Sequence, residues 1–213
     1  MSPKNHIMML DKYKVLLWDF DGVIMDSNPV RTYGFEEVLK GYPAEQLNEL
    51  ITYHKQNGGL PRYDKFRYFF EKIRDEQVSD AEIARLSARF SEIMLNKLMD
   101  RSLLIPDSVN FIKANYKKFI MHIVSGSDQT ELRKVCDYLD LTQYFVSIVG
   151  SPVLKPVLTK QILKTYNYNK YEVAFIGDSV NDYAAAVENG IDFYGYNNKR
   201  LLNLSKLYIK KLM

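Results

Sequence analysis

A single cysteine in 213 residues excludes an internal disulfide, so the fold must hold by packing alone. Cys136 sits among Leu132, Val135 and Leu139, a spacing that predicts a buried helix face and not a reactive thiol. The chain also lacks any apolar run of about 18 residues, which excludes a helical membrane span. The apolar run within Met1–Leu10 is too short for a signal peptide. These absences predict a cytoplasmic protein with no membrane partner. An excess of one charge is missing too. Lys and Arg number 29 against 26 Asp and Glu, leaving +3 with the signs well mixed, so no nucleic-acid partner is expected. There is no internal repeat and no low-complexity segment, and nothing in the chain specifies an oligomer; a monomer is expected, with a weak dimer as the alternative.

What is present is ordinary for a soluble enzyme: 46 % hydrophobic and 26 % charged residues, with 16 Tyr and 11 Phe suggesting aromatic-rich packing. A chain of this length buries roughly 70 % of its extended surface. The three histidines carry no metal-ligand spacing. His6 falls in a frayed start, His122 in a strand where it packs against a helix, and His54 reads as a packed or surface helix residue. Trp18 reads as packing.

Short apolar runs predict buried parallel strands at Val15–Trp18, Phe119–Val124, Phe145–Val149 and Val173–Ile176, with a weaker one at Ile191–Tyr194. Helical patterns lie between them at Asp128–Leu139, Leu158–Tyr166 and Val180–Asn189. Asp128 with Glu131 predicts a capping box, and Gly190 suits a helix C-terminus. This alternation predicts an α/β fold, a doubly wound, Rossmann-like parallel sheet. The basic stretch Lys199–Met213, with Leu201, Leu204, Tyr208 and Leu212 on one face, predicts a last helix packed on the sheet in preference to a membrane-surface helix.

Roughly 100 residues separate the first two strands, far more than one crossover needs. Pro29 and Pro61 stand at first helical positions, Ser79 with Glu82 makes another capping box, and apolar residues recur at helical spacing over Glu82–Met99. The expected organisation is therefore a Rossmann-like core of residues 1–26 and 101–213 with an α-helical cap of residues 27–100 inserted into it.

In open parallel sheets, ligands bind beyond the carboxyl ends of the strands. Polar residues gather there four times: Asp19-Phe20-Asp21-Gly22, Ser125-Gly126-Ser127, Gly150-Ser151-Pro152 with Lys155-Pro156, and Gly177-Asp178-Ser179 with Asn181-Asp182. Each group alone is common turn chemistry. Their joint order at four strand ends is not.

Asp19 and Asp21, Ser125, Lys155, and Asp178 with Asp182 together resemble the signature of the haloacid dehalogenase superfamily. Residues 176–186 are similar to the fourth motif of its phosphoglycolate-phosphatase-like branch, and the insertion after the first motif matches that branch's helical cap. One departure is Leu158, where relatives often carry a second proline after Lys155; it touches a helix start and no reacting group.

The resemblance implies a Mg²⁺-dependent phosphatase acting on a small phosphate monoester through an aspartyl-phosphate. It implies Asp19 as nucleophile and Asp21 as acid and base, a dual duty expected to need a raised pKa from a neighbouring carboxylate. Ser125, Lys155 and the backbone around Gly126 would hold the phosphoryl oxygens. Metal ligation falls to Asp19, Asp178 and the carbonyl of Asp21, with Asp182 orienting Lys155 or a metal-bound water. Asp21 favours phosphoryl transfer over dehalogenation. A sugar phosphate is the preferred substrate, ahead of phosphoglycolate or a nucleoside monophosphate. A sugar phosphomutase of the β-phosphoglucomutase type is the alternative, weakened because Arg31 stands where those proteins usually carry histidine. A phosphonate hydrolase using a cap lysine (Lys40, Lys55 or Lys65) and a non-catalytic phosphate-binding protein rank below it. In the cap, Asn57, Arg62 and Lys65 flank Gly58-Gly59 and could bind hydroxyls or a second anion, as could Arg31; an ordinary turn with solvated charges is the competing reading.

Overall fold

The computed structural model describes residues 10–204 and 207–212. Six strands form one parallel sheet in the order β3-β2-β1-β4-β5-β6. They are β1 Val15–Trp18, β2 Ile120–Asp128, β3 Ser147–Ser151, β4 Val173–Gly177, β5 Asp192–Tyr196 and β6 Leu207–Ile209. All residues of β1 and β4 are buried, as a strand covered by helices on both faces requires. Trp18 packs its ring on Phe111 at 5.7 Å, and Cys136 is buried in the same core.

The helical insert lies between β1 and β2 and comprises α1 Asn28–Val38, α2 Ala44–Gln56, α3 Arg62–Tyr68 running into a π-turn at Phe69–Ile73, and α4 Asp80–Leu98. Its centre is aromatic: Phe35 meets Phe90 at 4.7 Å and Phe66 at 5.2 Å. The chain enters and leaves the insert side by side, where Met25 bridges Leu104 and Asp26 N–H donates to the Leu103 carbonyl at 2.7 Å. Four further helices cover the sheet: α5 Pro106–Asn115, α6 Gln129–Tyr138, α7 Lys155–Thr165 and α8 Val180–Asn189, the last closed by Gly190 in the left-handed region at φ 65°.

Four expectations are corrected. The C-terminal stretch is not a helix: Lys199–Asn203 is a 3₁₀ turn and β6 follows, pairing with β5. The Asn198 side chain caps the start of the 3₁₀ turn by accepting from Arg200 N–H at 3.1 Å. Burial of Ile209 and the ladder to β5 give the segment a better partner than its own backbone. Second, α7 starts at Lys155, earlier than the apolar spacing suggested, because Pro156 suits a helix's first turn. Third, Asp128 caps α6 by accepting from Thr130 and Glu131 N–H, but the Glu131 side chain makes no return bond and turns into the interior. Finally, Pro61 stands just before α3, at its N-cap, with Arg62 as the first helical residue. The His6 and Met1–Leu10 expectations concern residues that lie, except for Leu10, outside the described ones.

His122 is fully buried in β2, bonded to the hydroxyls of Ser147 at 2.7 Å and Tyr168 at 2.9 Å. Burial lowers its pKa to about 4. As pH falls from 6.5 towards 4, the unfolded chain takes a proton that the folded chain refuses, so folding weakens in that window. Between those pH values the wild type should lose more melting temperature than His122→Gln, read by calorimetry; parallel losses would remove His122 as the cause.

Candidate active site

The site forms where β1, β2 and β4 end together. Asp19 N–H donates to the Ile176 carbonyl at 2.9 Å, extending the ladder one residue past β1 and anchoring the Asp19 backbone beside β4. The next turn is tight: the Phe20 carbonyl accepts from Ile24 at 2.9 Å and Met25 at 3.0 Å. Gly22 at φ 78° lets that turn lie against β4's loop, because a Cβ there would strike the Asp178 carboxylate. On the other side, Ser179 and Asp182 form a reciprocal capping box at the start of α8, which fixes the Asp182 carboxylate inward.

Three carboxylates therefore converge. One oxygen from each of Asp19, Asp178 and Asp182 lies within 4.8 Å of the others. Lys155 at the start of α7 donates to Asp19 at 2.8 Å and also to Asp182. Burial and the negative charges of Asp182 and Asp178 push the Asp19 pKa well up, against the pull of Lys155. Burial and Asp182 raise Asp178 to about 7. Lys155 is raised despite its burial, because Asp182 and Asp19 flank it. One ammonium does not neutralise three clustered acids, two of them buried. A compact arrangement of hard oxygen donors short of positive charge suits a divalent cation such as Mg²⁺.

Ser125 lies fully buried at the end of β2, its hydroxyl accepting from Ser127 N–H at 3.1 Å. Gly126 follows, and a Cβ there would run into the Gly59 carbonyl of the insert. Asp21 departs from expectation. Burial alone would raise its pKa, but Arg31, with Ser127 and Ser27, holds it down at about 2. Arg31 Nε donates to Oδ1 at 2.9 Å, Ser127 Oγ to Oδ2 at 2.5 Å, and Ser27 Oγ also to Oδ1. Cationic and hydroxyl donors outweigh burial here, so the pKa falls where a neighbouring carboxylate was expected to raise it.

The insert residues divide. Asn57 stays on its own helix, its amide donating to the Tyr53 carbonyl at 2.9 Å, and it does not line the cavity. Arg31 bonds Glu131 as well as Asp21. Arg62 is buried and fully engaged: Nη2 meets Glu131 at 2.7 Å, Nη1 donates to Ser91 at 2.8 Å, and its guanidinium lies 4.5 Å over Phe90. Lys65 is also buried, with Nζ 3.0 Å from His54 Nδ1. Together Asp19, Asp21, Arg31, His54, Arg62, Lys65, Gly126 and Ser127 are among the residues lining a cavity of about 50 Å³. Arg31, Arg62 and Lys65 thus do not form a solvated turn, whereas Asn57 serves one.

Sequence reading missed Glu131, taken as a capping acid, and the hydroxyls of Ser27 and Ser127. It underrated His54, which burial and the nearby Lys65 push down to about 3, so the ring is neutral. Asn28, which donates to Asp178 at 3.2 Å, and Asn181, which donates to the Gly58 carbonyl at 2.6 Å, further tie insert to core.

Two outcomes are expected. Millimolar Mg²⁺ should raise the melting temperature by a few degrees through preferential binding to the folded state. Asp178→Asn should remove that rise in a thermal-shift titration; an equal rise in the variant would place the cation elsewhere.

Comparison with known proteins agrees with this geometry. Residues 13–190 match the haloacid dehalogenase-like hydrolase family. The chain is 22 % identical over 200 residues to a phosphoglycolate phosphatase of Mannheimia succiniciproducens, covering 89 % of both chains. It is 22 % identical over 188 residues to a phosphorylated carbohydrates phosphatase of Thermotoga maritima, covering 85 % of this chain and 84 % of that one. In fold it resembles a β-phosphoglucomutase of Clostridium difficile (TM-score 0.77, 14 % identity, 94 % and 92 % of the chains covered). A match of this extent, over the segment that carries Asp19, Ser125, Lys155 and Asp178, means that the chain belongs to the haloacid dehalogenase-like hydrolases.

Proposed function

We propose that the protein is a Mg²⁺-dependent phosphatase that cleaves a small phosphate monoester through an aspartyl-phosphate on Asp19. The observation that carries this reading is the Asp19 carboxylate, buried against Lys155 among two further acids. A phosphate ester is doubly charged, and a carboxylate attacks it only where positive charge offsets both partners. Lys155 supplies part of that charge. Asp19, Asp178 and the Asp21 carbonyl would hold Mg²⁺, which supplies the rest as a Lewis acid. Asp182 serves Lys155 and the α8 N-terminus, so we assign it to positioning the lysine, with any metal contact indirect.

In the first step the Asp19 oxygen forms a bond to phosphorus and the ester oxygen leaves. Asp21 is the group placed to give that oxygen a proton and then to take one from the water that hydrolyses the aspartyl-phosphate. Held by Arg31, Asp21 is ionised in the arrangement described, the form suited to the second step. The first requires that its hold on Arg31 loosen as an ester enters, so that it can carry a proton. Ser125 and the backbone at Gly126 would receive the transferring oxygens.

The two curated relatives named act, by their names, on phosphoglycolate and on phosphorylated carbohydrates, and both classes suit a small cavity. The mutase reading gains no residue: Arg31 is committed to Asp21 and Glu131.

Asp19→Asn should abolish Mg²⁺-dependent phosphate release across a panel of phosphorylated metabolites while the melting curve stays cooperative. Turnover surviving in that variant would remove Asp19 as nucleophile. Asp21→Asn should lower kcat by about 10²–10⁴-fold. Rapid acid quench should then show less phosphoryl-protein than the wild type for an alkyl ester, whose departure needs the acid, and more for p-nitrophenyl phosphate, whose departure does not but whose aspartyl-phosphate has lost its base.

A further inference from the structure

In the phosphatase reading, Asp21 must come free of Arg31 before it can serve the leaving oxygen. A buried guanidinium that lets go of one carboxylate needs another, since it stays charged. The acids lining the cavity offer none: among the described residues they are Asp21 itself and Asp19, which Lys155 holds at 2.8 Å. The spare counter-charge stands just behind the wall. Glu131, buried on α6, already accepts from Arg31 Nη1 through Oε1. That contact is a single bond, although both groups can make two. Arg31 Nη2 is a buried donor and Glu131 Oε2 a buried acceptor, and neither has a hydrogen-bond partner among the described residues. Oε2 has the ion pair with Arg62 Nη2 at 2.7 Å.

An orphan donor and an orphan acceptor on one ion pair are the two halves of a bidentate fork that has not closed. Arg31 is kept from closing it by Nε, which donates to Asp21 Oδ1 at 2.9 Å. A turn of the guanidinium towards Glu131 would exchange that bond for one from Nη2 to Oε2, and Arg31 would stay paired throughout. Asp21 would keep Ser127 on Oδ2 at 2.5 Å. Ser27, the other donor on Oδ1, has the Met25 carbonyl within reach at 3.3 Å. Oδ1 would then be open to the ester. Glu131 can receive the arginine without moving, because Arg62 steadies it from the other side. Arg62 is itself held by Ser91 at 2.8 Å and lies over Phe90. The helix of Glu131 starts directly after the strand that carries Ser125 and Ser127, which fixes the acid in their frame. Resting on the phosphatase reading, we propose that Glu131 is a positioning residue. It takes Arg31 in a two-bond grip as the ester enters and so releases Asp21 towards the leaving oxygen.

Two esters separate this role from mere support of the insert, because p-nitrophenolate leaves without an acid and an alkoxide does not. The alkyl ester is whichever member of the metabolite panel the wild type turns over fastest. Glu131→Gln keeps the shape and removes the charge. It should lower kcat/KM for the alkyl ester by about 100-fold and for p-nitrophenyl phosphate by less than about 5-fold. An equal fall on both esters overturns the proposal, because Glu131 would then only seat the insert. No fall on either overturns it too. In an Arg31→Gln background there is no guanidinium to take over, so adding Glu131→Gln should change the alkyl-to-aryl ratio by less than about 3-fold. A larger fall there means that Glu131 acts by another route, and the proposal is lost. This double replacement removes both charges together, the milder change for a buried pair, and it decides the matter should Glu131→Gln alone not fold. If the wild type releases no phosphate from either ester, the phosphatase reading and the positioning role fail together. Release with a ratio indifferent to Glu131 sinks the positioning role alone.

Discussion

The Lys155 ammonium is the charge on which the site depends. It lies buried between Asp19 and Asp182, with the half-buried Asp178 close by, and it is the protein's own answer to three carboxylates gathered at the strand ends. Removing one partner of such an arrangement leaves an uncompensated buried charge, a cost of about 3–5 kcal/mol. The surrounding structure serves this convergence. Asp182 holds the lysine with one oxygen and caps α8 with the other, so the helix start and the charge pair are one construction. Gly22 permits the Asp19 turn to press against the Asp178 loop.

A second layer of charge joins the insert to the core. Glu131, from a core helix, receives Arg31 and Arg62 from two different helices of the insert, and Arg31 passes the connection on to Asp21. Tyr63 reaches Asp128 at 2.7 Å beside it. The approach is close: the Gly59 carbonyl lies where Gly126 would carry a side chain. The insert thus covers the strand-end carboxylates and at the same time sets the ionisation of Asp21. Because buried arginines are always charged, the acid beside them stays ionised until another anion competes for the guanidinium.

The positions of the first five strands, the helical insert and the strand-end acids were legible because each rests on local chemistry. Buried parallel strands need continuous apolar runs, and their carboxyl ends collect ligands by topology. Misreadings came where a local rule met a stronger distant partner. Glu131 has the spacing of a capping acid, but two arginines far away in sequence outbid a backbone N–H. The C-terminal stretch has helical apolar spacing, but the free edge of β5 offered it a ladder. Asn57 looked like a ligand-binding amide and instead completes its own helix end. The low pKa of Asp21 was invisible because it depends on Arg31, ten residues away on a helix whose direction no local pattern reveals.

By itself, then, the sequence determined which polar groups gather at the strand ends. Asp19, Asp21, Ser125, Lys155, Asp178 and Asp182 are named by their places after predicted strands, since strand ends are adjacent whatever the details of packing. Tertiary structure alone decided how those groups are charged and what they face. Burial and distance set those properties. They emerge only when the insert closes on the core and brings Arg31, Arg62, His54 and Lys65 into one desolvated cavity.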